Sequence, residues 1–241
     1  MSAMSASNAT VGLLLSGGLD SSILLAHLLE SGRRVQPFYV QSGLYWQRDE
    51  LWALRAFLIT LDSPRLEPLV VLDMPVADLY GYHWSVTGRD VPGADSPDDA
   101  VYLPGRNALL ALKPALWCSM HGIDELALAV LASNPFADAT EEFFHDFEQV
   151  IARATGNRVR LTRPFSGRQK REVMELGRGL PLELTFSCIA PVGGLHCGLC
   201  NKCGERQAAF AHLDGDPTAY ATGTATKGGE PEGDQVRPER H

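Results

Sequence analysis

Two stretches of the chain set reactive residue types at informative spacing. Ser16-Gly17-Gly18-Leu19-Asp20-Ser21-Ser22 follows an apolar run, Val11-Gly-Leu-Leu-Leu15, and precedes a helical pattern, Ile23-Leu-Leu-Ala-His-Leu-Leu-Glu30. Strand, glycine loop and helix in that order let the backbone come close to a ligand with no Cβ in the way. The loop ends at a helix N-terminus, where unpaired N–H groups and the dipole favour an anion. Ser16, Ser21 and Ser22 add hydroxyl donors. The ligand implied is a phosphate or pyrophosphate. A serine-rich cap on an ordinary surface helix is the bland reading, and the order of the elements weighs against it. The loop lacks the Gly-Lys-Ser/Thr ending of the kinase-type phosphate loop.

The second stretch is Cys188, then eight residues, then Cys197-x-x-Cys200-x-x-Cys203. Four thiolates at this spacing suit a tetrahedral zinc, with Gly198 and Gly204 giving the turn freedom a knuckle needs. All four positions come from protein, so the expected Zn2+ is structural rather than catalytic; an iron–sulfur cluster is the metal alternative. His196 beside Cys197 reads as a bystander. The fifth cysteine, Cys118, lies in an apolar helical stretch and reads as packing.

These residues need a frame. Runs at 11–15, 34–40, 69–72 and 125–131 read as strands, and 160–165 as a short strand or extended link. Helical spacing covers 20–31, 46–61, 105–120, 140–154, 170–178 and 205–212. Alternating strands and helices argue for an α/β fold, a parallel sheet with helices on both faces and a small C-terminal zinc-binding element. In such sheets ligands bind outside the C-terminal strand ends, so the Ser16 loop and the residues after Val40 and Leu131 should converge on one crevice. Residues 73–102, rich in glycine and proline, read as a long irregular segment, either an active-site lid or a passive insertion. One domain is expected over 10–213, with a disordered tail over 214–241.

The 241 residues carry a net charge of −8, which argues against a broad nucleic-acid footprint. No apolar run reaches the length of a membrane span, and the N-terminus lacks the regions of a signal peptide. A cytoplasmic protein is expected, in keeping with cysteines used for metal rather than disulfides.

The S-G-G-x-D-S-S loop resembles the PP-loop of the ATP pyrophosphatases. With the C-terminal cysteine set it resembles, more specifically, the 7-cyano-7-deazaguanine synthase family. Tyr45-Trp46-Gln47-Arg48-Asp49-Glu50, Leu103-Pro104-Gly105-Arg106-Asn107 and Lys170 in Ser166-Gly-Arg-Gln-Lys170 support the match, which spans about 11–212. The resemblance implies an ATP-dependent ligase that adenylylates 7-carboxy-7-deazaguanine and uses ammonia to form the nitrile, releasing AMP and pyrophosphate. It implies ATP, Mg2+ and Zn2+ as cofactors, and a homodimer. Ser16, Gly17, Gly18, Leu19, Asp20, Ser21, Ser22, Gly105 and Arg106 would hold the nucleotide. Asp20, Arg106 and Lys170 would be catalytic, Asp20 as a magnesium ligand or its partner and the two cations against phosphate charge. Gln47 and Arg48 would line the crevice near the acid.

The match departs from the family at the substrate side. The family's Tyr-Pro-Asp-Cys-Arg type segment is replaced by Ser133-Asn134-Pro135-Phe136-Ala137-Asp138-Ala139-Thr140-Glu141-Glu142-Phe143-Phe144, and a small glycine by Trp46. Asp138 holds the place of the acidic residue, and Phe136 offers a face to a base. A related ligase joining such an acid to a different amine, on a protein or a small molecule, is the alternative. A nucleotide-binding homologue without turnover is the other.

Overall fold

The computed structural model describes residues 9–211, 213 and 215–221. Five strands, β1 (Thr10–Leu14), β2 (Arg34–Gln41), β3 (Val70–Asp73), β4 (Glu125–Ala127) and β5 (Arg160–Thr162), form one sheet in the order β3-β2-β1-β4-β5. Every neighbouring pair is parallel. The helices are α1 (Leu19–Glu30), α2 (Gln47–Thr60), α3 (Ala77–Tyr80), α4 (Trp84–Thr87), α5 (Arg106–Met120), α6 (Glu141–Thr155), α7 (Lys170–Leu176) and α8 (Asn201–Phe210).

Alternate residues of β1 serve opposite faces, as the period of two requires. Val11, Leu13 and Leu15 join Leu54 and Phe57 of α2, Ile23 and Leu24 of α1 and Val173 and Met174 of α7 in one apolar core. Phe38, Leu126 and Leu128 join Ala111 and Ala115 of α5 and Phe144 and Ile151 of α6 in the other. Gly12 faces that second core, where a Cβ would stand 2.7 Å from the Cys118 sulfur and 3.0 Å from Phe38. The glycine is therefore what lets α5 lie close to the sheet. Burial pushes the Cys118 thiol up to about 12, and it packs as a small apolar group.

Three element expectations are revised. Strand β4 stops at Ala127 rather than residue 131, because the next residues leave the sheet to wall the crevice. Residues 73–102 are not uniformly irregular. They hold α3, α4 and a 3-10 turn at Asp98–Val101, and they pack into a third apolar cluster with Trp46 and all four clustered cysteines. The last helix begins at Asn201, so Cys203 lies within it and Cys200 caps it.

The expected disorder from 214 does not hold over 215–221. Thr218 accepts from buried Arg206 at 2.7 Å, Tyr220 donates to Asp216 at 2.6 Å, and Ala221 N–H donates to the His196 carbonyl at 2.8 Å. The remainder of the expected tail, 214 and 222–241, lies outside the described residues. Among the described residues no helix is long and apolar enough to cross a membrane.

Candidate functional site

The sheet order makes β1 and β4 neighbours whose following helices, α1 and α6, lie on opposite faces. A crevice must open where the two connections part. It is there, with a volume of about 310 Å³, and Ser16, Gly18, Leu19, Asp20 and Ser21 form its floor. Gly17 takes φ +79°, a value that favours glycine, and its carbonyl accepts from Phe186 N–H at 2.8 Å. Ser16 and Ser21 hydroxyls lie 3.2 Å apart, and Gly18 N–H points to Ser16 Oγ at 3.4 Å. Gly17 and Ser22 stand behind the floor rather than on it. Ser22 Oγ is buried with no hydrogen-bond partner among the described residues.

Residues far apart in the chain arrive at this floor for identifiable reasons. Helix α7 begins with a capping box, Gln169 with Glu172, which places Lys170 in its first turn. Gly177 at its other end lets α7 approach α1, since a Cβ there would meet Ile23 at 2.7 Å. Lys170 Nζ then reaches Asp20 Oδ1 at 2.6 Å. From the opposite face, Gly105 at φ +73° starts α5 and sets Arg106 at its first position. Arg106 lines the crevice, and its Nε is buried with no hydrogen-bond partner among the described residues. Such a donor is costly unless an acceptor meets it, and an oxygen-rich anion in the crevice would supply one.

The proposed acid-side residues divide. Gln47 lines the crevice while its side-chain oxygen accepts from Gly43 N–H. Arg48 is 89% exposed, pairs with Asp49, and does not line the crevice. Asp138 does not line it either. Its carboxylate accepts from Asn107 N–H at 2.9 Å, so it caps the start of α5 and complements the helix dipole. Phe136 stacks on Tyr102 with ring centres 4.8 Å apart, in the wall of an adjoining cavity that shares Asp20, Asn134 and Lys170 with the crevice.

Several crevice residues are given no role by the sequence reading, Glu50 among them although it closes the Tyr45–Glu50 motif. Tyr39 of β2 donates to Glu50 Oε2 of α2 at 2.6 Å. Burial raises the Glu50 carboxyl to about 7, opposed by hydrogen bonds from Tyr39 and Trp46 and by the Arg106 charge. Arg206, 1% exposed, reaches the crevice wall while held by Thr185, Thr218 and the Leu182 carbonyl, all neutral oxygens. Its hydrogen bonds go to neutral oxygens, so its charge adds positive potential to the crevice wall, partly offset by nearby Asp216.

The four cysteines are buried, with their sulfurs within 4.8 Å of one another. Cys188 and Cys200 sulfurs are 3.8 Å apart, and those of Cys197 and Cys203 are 3.9 Å apart. A tetrahedron of thiolates about 2.3 Å from one ion has edges of about 3.8 Å, so the set fits a single metal. Backbone N–H groups of Ala190, Cys197, Gly198, Leu199 and Cys200 point at these sulfurs, as thiolates require. His196 is not part of the set: its Nε2 accepts from Ser187 N–H at 3.2 Å.

A family model, that of the queuosine biosynthesis protein QueC, matches residues 10–214. The chain belongs to the QueC family. It is 31% identical over 205 residues to 7-cyano-7-deazaguanine synthase 1 of Desulfitobacterium hafniense, covering 83% of this chain and 90% of that one. It is 29% identical over 225 residues to the 7-cyano-7-deazaguanine synthase of Methanothermobacter thermautotrophicus, covering 86% and 97%. The QueC match runs through the Ser16 loop, the Arg106 turn, Lys170 and the four cysteines.

Two outcomes follow from this geometry. Cys200→Ser should lower bound metal and thermal stability together, since the cysteines sit in the apolar cluster they would organise; metal analysis beside calorimetry reads both, and unchanged metal content would contradict the assignment. Glu50 has a folded-state pKa above its ordinary 4.5. Its stabilising contribution is therefore full below pH 4.5 and is lost as pH rises through about 7. Glu50→Gln should flatten the stability profile over that window; parallel profiles for the two proteins would contradict the assignment.

Proposed function

We propose that this QueC-family chain uses ATP to adenylylate a carboxylate, that the acid is 7-carboxy-7-deazaguanine, and that ammonia carries it to 7-cyano-7-deazaguanine. What supports this most is one arrangement. A serine-glycine floor at the sheet's switch point holds the Asp20–Lys170 pair on one side and, on the other, Arg106 Nε, which has no hydrogen-bond partner among the described residues. That is a cradle for a polyphosphate, with cations placed where charge grows as pyrophosphate leaves.

A carboxylate has a poor leaving group, and adenylylation gives it a good one. The acid's oxygen attacks the α-phosphorus, and the bond to pyrophosphate breaks. Ser16, Gly18 and Ser21 hold the departing group while Lys170 and Arg106 offset its charge. The nitrogen of ammonia then attacks the acyl carbon, and AMP leaves to give the amide. Activation of the amide oxygen in the same way, followed by loss of AMP and the nitrogen's protons, gives the nitrile. Asp20 is the floor carboxylate suited to Mg2+, which prefers carboxylate, phosphate and water oxygens and would offset phosphate charge when bound. Zn2+ suits the four thiolates, in a structural role. Gln47 and Phe136 sit where the acid would lie, Phe136 as a flat face for its bicyclic ring. The reaction belongs to the cytoplasm, where ATP is available, and a homodimer remains the expected assembly.

A second reading has a specific observation behind it. Asp138 is engaged with Asn107, no basic residue lies in 133–140, and Trp46 fills a crevice wall where the family has a small residue. These changes favour an altered acceptor side, so that the activated acid passes to an amine other than ammonia.

Incubation with ATP, magnesium, 7-carboxy-7-deazaguanine and ammonium, read by mass spectrometry, separates the readings. The nitrile with AMP and pyrophosphate is the expected result, whereas adenylate or amide that goes no further favours the second reading. Asp20→Asn should cut pyrophosphate release by about 10²-fold or more with the fold intact. Near-normal turnover in that variant would remove Asp20 from the site.

A further inference from the structure

The cavity adjoining the crevice is walled by the residues after β4, by α7 and α8, and by Asp98 of the 3-10 turn Asp98–Val101. Three carboxylates face it. Asp20 is paired with Lys170 at 2.6 Å, and Glu205 is paired with Lys202 at 2.5 Å. Asp98 has neither an ion pair nor a side-chain hydrogen bond among the described residues. It is the carboxylate in this wall with both oxygens available. The turn that carries it is anchored by buried Val101, and Tyr102, next in the chain, stacks on Phe136. An exposed, uncommitted carboxylate, Asp98, and a flat aromatic face, Phe136 of the segment after β4, are therefore brought to one cavity by two segments joined through the Tyr102–Phe136 stack.

An ionised carboxylate accepts two parallel hydrogen bonds from a planar fork of N–H groups. A guanine-type ring offers such a fork in its ring N–H and neighbouring exocyclic amino group. Asp138, the carboxylate that the sequence pattern puts forward for a role on the substrate side, already accepts from Asn107 N–H and Nδ2–H.

We propose that Asp98 reads the amino-pyrimidinone edge of the substrate ring while Phe136 stacks on its face, which makes Asp98 the residue that selects a 2-amino purine-type acid over its 2-deamino counterpart. This rests on the function proposed above. The two cavities share Asp20 and Lys170, so an acid whose ring edge met Asp98 would have its carboxylate directed toward the nucleotide crevice.

The test compares 7-carboxy-7-deazaguanine with its 2-deamino analogue as substrates of the wild-type protein, Asp98→Asn and Asp98→Ala. The wild type should favour the 2-amino acid by about 10- to 100-fold in kcat/KM, the range expected for hydrogen bonds to a charged group. Asp98→Ala should bring the two acids near parity, with the KM for ATP unchanged, and Asp98→Asn should fall between. Preserved discrimination in Asp98→Ala overturns the assignment. So does an equal loss on both acids, which would mark a structural role. If the wild type turns over neither acid, the failure lies with the proposed function, and this assignment falls with it.

Discussion

The chain's geometry rests on one topological constraint. Strand β1 lies at the centre of an all-parallel sheet, with β2 on one side and β4 on the other. The connection after β1 goes to one face and that after β4 to the other, so the strand ends cannot be covered between them. The crevice is the consequence. The Ser16–Ser22 loop lies in it because it is the β1 connection, and Asn134 and Phe136 flank it because they belong to the β4 connection. Lys170 and Arg106 come from the two helix layers, each set by a local device: a capping box at α7 and a left-handed glycine at α5.

The cysteine cluster is coupled to this crevice through packing. Its four side chains share an apolar cluster with Trp46, Phe186 and Ile189, which line the crevice, and with Val76, Val101 and Leu103 from the segment ahead of α5. Backbone bonds tie the same parts together: Ala94 N–H donates to the Leu199 carbonyl and Asn201 N–H to that of Pro92. A metal at the cysteines would therefore act on the crevice by fixing its wall, at a distance from the reacting atoms. The long insertion is part of that wall, which explains why it contributes Asp98 to the neighbouring cavity.

Much of the site was legible in the sequence because its residues sit in local patterns. The glycine-serine loop between a strand and a helix, and thiols at knuckle spacing, have meanings set by short-range geometry. What escaped depends on contacts made across the fold. Asp138 looks like a site carboxylate until α5 is placed and its N-terminus needs a cap. Arg48 follows Gln47 in an informative motif, yet one step along a helix turns its side chain to solvent. The Tyr39–Glu50 pairing carries no spacing signal, since one residue lies in a strand and the other in a helix. The order seen over 215–221 has a similar origin: its composition is that of a loose tail, but buried Arg206 needs the oxygen that Thr218 provides.

The central claim is that this crevice activates a carboxylate by cleaving ATP between its α- and β-phosphates. Acid-dependent exchange of labelled pyrophosphate into ATP tests it most directly, because it needs neither the amine nor the later steps. Exchange that requires 7-carboxy-7-deazaguanine and is lost in Asp20→Asn is the predicted result. Absence of exchange in folded, metal-loaded protein, or exchange indifferent to the acid, would contradict it.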